Sequence, residues 1–144
     1  MTIDVDGIEM SIYGTHLEHT SSAARQSQMN VIAPILRADP RPKIFGGDLN
    51  ATSGSATMST ARTVLEDAWT SVGVGAGHTA PAANPRIRID YLMDGDAATV
   101  DVTPLRAEVL APVVSDHLPV RATYQITKTT GEVCIPDLQE QDLP

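Results

Sequence analysis

The 144-residue chain is long enough for one domain with a substantial core and too short for two ordinary ones. Its 42% hydrophobic and 19% charged residues are globular values that exclude wholesale disorder, and one Trp, one Phe and three Tyr predict a core of Val, Ile, Leu and Ala. Ten basic against 18 acidic residues give a formal charge of −8, a poor balance for holding duplex DNA through many phosphate contacts.

In chain order, Asp6-Gly7 is a type I′ hairpin signal between short β-compatible segments. Ile8, Met10, Ile12 and Gly14 alternate with Glu9, Ser11, Tyr13 and Thr15, predicting a strand over 8–15 that ends beside His16. Thr20, Ser21 and Ser22 offer N-caps for a helix over 22–38, whose apolar stripe is Met29, Ile32 and Leu36. Pro34 predicts a kink or an early end to that helix. Asp39-Pro40-Arg41-Pro42 is a stop before a short buried strand, 43–46. A second helix is expected over 57–65, followed by Glu66-Asp67-Ala68-Trp69 and a Gly-rich loop, 73–85. Strands are expected over 86–93, 100–110 and 118–126. This order predicts an α/β layer with a mixed sheet over residues 1–126, and a polar, acidic tail over 127–144. The lone Cys134 permits no intramolecular disulfide. No apolar run reaches the ~20 residues of a membrane span, and the first ten residues lack the pattern of a signal peptide.

Four polar stretches fall at expected strand ends: Thr15-His16-Leu17, Gly47-Asp48-Leu49-Asn50, Arg88-Ile89-Asp90-Tyr91 and Ser115-Asp116-His117-Leu118-Pro119. Strand ends along one rim of a sheet converge in space, which is where α/β proteins place ligands. Each stretch alone has a structural reading. Gly-Asp and Asn are ordinary turn residues, a lone His16 suits a strand end or surface, and Ser-Asp-His-Leu-Pro suits a cap or turn. Asp90 is different, because a strand turns it away from Ile89 and Tyr91, and an acid buried there needs a partner. Together the acids, the amide and the two histidines form an inventory for metal-assisted phosphoryl transfer: hard oxygen ligands, a carboxylate to orient water, and imidazoles for developing negative charge. A serine triad fits less well without a Gly-x-Ser-x-Gly elbow, and zinc fits poorly with one Cys and no suitably spaced His pair.

The order THL, GDLN, RIDY, SDHLPV resembles the second half of the endonuclease/exonuclease/phosphatase family, over residues 5–126. The resemblance implies the second half of a four-layer, DNase I-like α/β sandwich, with a mixed, mostly antiparallel sheet and helices on one face. It implies that His117 contacts the scissile phosphate, that Asp90 orients His117, and that Asp48 activates the attacking water. Asn50 would hold a phosphate oxygen or a second metal, Asp116 would ligate the catalytic Mg2+ together with Asp48 and Asn50, and His16 would assist the leaving group. Mn2+ is the expected substitute for Mg2+. The family's first half, which carries an Asn and the principal Mg2+ ligand Glu, has no counterpart before Thr15. The expected activity is therefore Mg-dependent phosphoester hydrolysis, weak or absent in this segment alone. A truncated reading of a complete enzyme is expected ahead of two alternatives: a natural half that pairs with an N-terminal partner chain, and a non-catalytic binding module. A half domain would also expose a sheet face prone to self-association. Substrate choice would rest on the 73–85 loop, with His78 as a phosphate contact. The acidic body points to a small phosphoester, a lipid headgroup or single-stranded nucleic acid before duplex DNA.

Overall fold

Two residues in the left-handed region begin the fold. Asp6 (φ 51°) and Gly7 (φ 78°) adopt the conformation a type I′ turn requires, and they join β1 (Thr2–Val5) to β2 (Ile8–His16) as an antiparallel pair. The computed structural model describes residues 1–111 and 115–129.

Ser21 caps α1 (Ser22–Ala38), its hydroxyl accepting from the Ala24 N–H, so the expected helix appears with its expected bounds. Met29, Ala33 and Leu36 are buried along one stripe, with Ile32 packed beside them. The early end expected at Pro34 does not occur. Pro34 and Asn30, whose carbonyl loses its helical donor to the proline ring, are both exposed, so water can satisfy that carbonyl while the buried stripe holds the helix.

α1 carries the chain across to β3 (Lys43–Asp48), which lies parallel to β2. On its other edge β3 pairs antiparallel with β5 (Asp90–Gly95), and β5 pairs with the two-residue β4 (Glu66–Asp67). The result is a mixed five-stranded sheet, β1-β2-β3-β5-β4. β6 (Val100–Val109) and β7 (Val120–Lys128) pair with each other as a separate two-stranded sheet. β7 thus runs two residues past the expected start of the tail, and residues 130–144 of that tail lie outside the described residues.

Two elements differ from expectation for local reasons. The strand expected from Arg86 begins at Asp90, because Ile87 pairs back on Ala80 and the Ile89 N–H turns to the Thr79 hydroxyl. The second helix, α2 (Ala56–Ala61), stops short of Leu65: Thr63 and Val64 close tight i→i−3 turns there, where β-branched side chains weaken a regular helix. A short helix that the sequence did not announce, α3 (Ala68–Val72), follows β4, with the Asp67 side chain as its N-cap.

The period of two along the strands separates the faces. Tyr13, Phe45, Tyr91 and Met93 share one face and form the core with Met29 and Leu36 of α1 and with Met58, Ala61 and Leu65 on and after α2. Burial of each large apolar side chain there is worth roughly 1.5–3 kcal/mol. The other face carries Ile12, Ile44 and Leu92, then His16, Asp48 and Asp90 at its end. The β6–β7 hairpin lies over the β5 part of this face, where Ala107 and Val120 line a narrow pocket with Leu92, and leaves Met1 and Ile3 exposed at the β1 edge. No helix among the described residues is long and apolar enough to cross a membrane.

Candidate active site

β2, β3 and β5 end together. His16 pairs with Asp48 and Asp48 with Asp90, so three polar side chains stand side by side on the face away from α1 and α2. The backbone beyond them stays joined: Leu17 N–H donates to the Asp48 carbonyl and Leu49 N–H to the Ile89 carbonyl, each at 2.9 Å. Gly47 is required for this closure. Its φ is 144°, and a Cβ there would stand 1.8 Å from the Thr15 carbonyl oxygen.

Asp48 is aimed by the turn that follows it. Asn50 takes the left-handed conformation (φ 48°), which Asn tolerates better than most residues, and its N–H donates to Asp48 Oδ1 at 2.8 Å. The Asn50 side-chain Nδ2 donates to the Leu17 carbonyl at 2.9 Å and ties the β3 end to the β2 end. One Asp48 oxygen is thereby held, and Oδ2 faces histidines on both sides: His16 Nε2 at 3.4 Å and His117 Nδ1 at 3.9 Å.

His117 reaches this rim from the segment before β7, and its Nδ1 stands 2.9 Å from Asp90 Oδ2. An ionised carboxylate only accepts, so Nδ1 bears the hydrogen of this bond and Nε2 stays available to a second partner. The side chains of His117, Asp90 and Asp48 are 27%, 19% and 17% exposed, whereas His16 is 71% exposed. The first three are desolvated enough to feel one another strongly and open enough for a ligand to reach. With Gly47, Leu92, Ser115 and Pro119 they line an open cleft.

Behind the rim lies a rigid support. Arg88 grips Asp67 with two hydrogen bonds, 2.9 and 2.8 Å, and stacks its guanidinium 4.4 Å above the Tyr91 ring. The Tyr91 hydroxyl donates to the Ala51 carbonyl at 2.8 Å, and burial pushes its pKa up to about 12. This clamp is not legible in the sequence. Asp67 before Ala68-Trp69 carries an N-cap signal, but nothing local announces an arginine 21 positions later as its partner.

Asp48, Asp90 and His117 each offer a ligand atom, all within 4.8 Å of one another, and so form a group able to hold a metal ion. Its two carboxylates are the hard oxygen donors a divalent cation requires. Of the expected set of Asp48, Asn50 and Asp116, Asp48 belongs to this group of acids and imidazole, and Asn50 adjoins it through its N–H bond to Asp48. Asp116 is exposed, accepts from its neighbour's Ser115 Oγ at 3.0 Å and stands outside the group. His78 is not at this rim either. It is half-buried in a second cleft with Trp69, Val72, Val74 and Arg106.

A family model described as the Endonuclease/Exonuclease/phosphatase family matches residues 4–117. Solved structures share the fold. D. rerio TDP2, humanised by 14 mutations, is 22% identical with a TM-score of 0.73 over 86% of this chain and 58% of its own. A mannosyl-6-phosphatase of Bacteroides thetaiotaomicron is 19% identical with a TM-score of 0.70 over 83% of this chain and 52% of its own. A Bacteroides vulgatus protein of the same family is 24% identical with a TM-score of 0.67 over 85% of this chain and 51% of its own. The chain thus spans about half the length of the solved structures it matches. No curated protein matches it.

Proposed function

Since the chain belongs to the endonuclease/exonuclease/phosphatase family, we infer that its strand-end rim serves the hydrolysis of a phosphate ester by metal-assisted attack of water. The observation that carries this reading is the Asp90–His117 contact at 2.9 Å with Asp48 beside it, a base and an oriented imidazole on one cleft.

The roles follow from which atoms are already committed. His117 Nδ1 is bound to Asp90, so Nε2 is the atom offered to a phosphate oxygen, with Asp90 fixing the ring and compensating positive charge on it. Asp48 Oδ1 is held by the Asn50 N–H, which leaves Oδ2 to orient and deprotonate the attacking water. Asn50 uses one amide hydrogen on Leu17 and retains another for a phosphate oxygen. His16, exposed beside Asp48, suits a leaving group that varies in size. Asp48 and Asp90 would hold a Mg2+ or Mn2+ ion, joined by Asp116 if its carboxylate exchanges the Ser115 hydroxyl for the metal. Such an ion, when bound, supplies Lewis-acid polarisation of the phosphoryl group.

Two carboxylates, with water in the remaining positions, would hold a hard cation only weakly, so turnover by residues 1–144 alone should be slow. The complementary half of a family domain, covering the face where Met1 and Ile3 lie exposed, is the partner that would complete it. The net charge of −8 favours a small phosphoester, a lipid headgroup or a single strand as substrate. Among the similar structures, one is a mannosyl-6-phosphatase and another a D. rerio TDP2 complexed with single-strand DNA product. The cleft holding His78 supports a role in binding the rest of the substrate, because a narrow pocket shares Trp69, Gly77 and Ala107 with it and Asp90 with the rim.

The test is an Mn2+ titration followed by NMR, alongside hydrolysis of a nitrophenyl phosphodiester. Signals of Asp48, Asp90 and His117 should broaden first, and the slow Mn2+- or Mg2+-dependent hydrolysis should vanish in His117→Ala. Uniform broadening, or equal rates in the variant, would refute the assignment.

A further inference from the structure

The Asp90–His117 contact joins two separate sheets. Asp90 begins β5 of the five-stranded sheet, whereas His117 precedes β7 of the hairpin, and no ladder pairing connects these sheets among the described residues. A 2.9 Å side-chain contact across such a gap needs something that sets the separation of the two backbones.

One buried residue touches both. Thr79 is 0% exposed and stands on the loop between α3 and β5. Its carbonyl accepts from the N–H of Leu118, the residue after His117, at 2.8 Å. Its hydroxyl accepts from the N–H of Ile89, the residue before Asp90, at 3.4 Å, and its own N–H donates to the Ile87 carbonyl at 2.8 Å. The same loop holds the other flank of the histidine, where Ala82 N–H donates to the Asp116 carbonyl at 2.7 Å. The loop itself is anchored at Gly77, where a Cβ would stand 2.4 Å from the Trp69 indole.

We propose that Thr79 is a positioning residue for the Asp90–His117 pair, a strut that fixes the imidazole against its carboxylate by bonding the backbone next to each. The inference rests on the rim being the working site, but it concerns geometry and can be read without turnover. It also gives the 73–85 loop a second duty: besides bordering the His78 cleft, the loop carries the strut.

The experiment compares wild type, Thr79→Val and Thr79→Ser in residues 1–144 by NMR. Thr79→Val keeps the shape and the backbone carbonyl but removes the acceptor for the Ile89 N–H; Thr79→Ser keeps the acceptor. In wild type the His117 Nδ1–H resonance should be detectable and the Leu118 amide protected. Loss of one buried hydrogen bond, about 1 kcal/mol, should speed exchange of the Nδ1 proton about fivefold in Thr79→Val and leave amide protection in α1 intact, with wild-type behaviour returning in Thr79→Ser. A wild-type Nδ1–H lifetime in Thr79→Val would overturn the proposal, as would an equal loss of protection throughout α1 and β3. If Thr79→Val does not fold, the wild type decides: a Leu118 amide exchanging as fast as that of exposed Ala111 would also overturn it. A chain with an intact Nδ1–H signal but neither hydrolysis nor an Mn2+ response would remove the hydrolase reading and leave the strut in place.

Discussion

Asp67 and Asp94 lie on neighbouring strands, each 2% exposed, and they meet opposite fates. Asp67 receives two hydrogen bonds from Arg88, one from Arg62 and one from the Trp69 N–H, so its burial is fully compensated. Asp94 sits cross-strand from Glu66 with its Oδ1 unbonded, and the Tyr124 hydroxyl on β7 is likewise without a partner. Burial, then the nearby charges of Glu66, Asp96 and Asp67, push Asp94 up to about 7. Asp90, four residues earlier on the same strand and face, is the intermediate case: part-exposed, and partnered by a histidine instead of an arginine. A buried acid is thus a clamp where cations surround it, a group that holds its proton more tightly where they do not, and, in the function proposed above, a site for chemistry where an imidazole faces it.

The largest expected effect comes from making Asp67 resemble Asp94. Arg88→Ala strands a buried carboxylate and should cost about 3–5 kcal/mol in urea unfolding, because the part-exposed Arg62 alone cannot compensate it. A loss under about 1 kcal/mol would show that the clamp is dispensable.

Next is Asp94 itself. With a folded pKa near 7 against an ordinary 3.8, the folded chain keeps a proton that the unfolded chain has released. Stability should therefore fall as pH rises from about 4 to about 7, by as much as roughly 4 kcal/mol, while below pH 4 this group contributes no pH dependence. Asp94→Asn should flatten that limb and stabilise the chain at pH 8, with little change at pH 4. Parallel profiles for wild type and variant would mean that Asp94 is ionised and partnered after all.

Asp90→Asn should have the smallest effect on folding, within about 0.5 kcal/mol, since the amide has the same shape and the part-buried side chain still borders the open cleft. Metal-dependent hydrolysis should nevertheless drop about 100-fold or more, because an amide can present the wrong group to His117 Nδ1 and frees the ring tautomer. A stability loss comparable to that of Arg88→Ala would place Asp90 with the clamps.

What could be read in advance was whatever is local. The α1 bounds follow from one serine cap and a proline-bracketed stop, and three of the four rim motifs mark a strand boundary through Gly, Asp, Asn or Pro. Asp90 was legible as an acid in need of a partner, and His117 is that partner. Less accessible was anything decided by a distant group. The late start of β5 depends on Thr79 and Ala80 recapturing residues 87 and 89, and the separate β6–β7 sheet depends on which strand edges find each other. Asp94 stands in sequence as an acid before a glycine, and nothing local shows that it is buried and its pKa raised.

Gly47 carries a consequence for inheritance. Every amino acid other than glycine adds at least one carbon where the Thr15 carbonyl already stands, so even the mildest missense codon at this position unseats Asp48 without touching an acid or a histidine. In a tally of tolerated variants the position would resemble a reactive group, although what is selected there is an empty space.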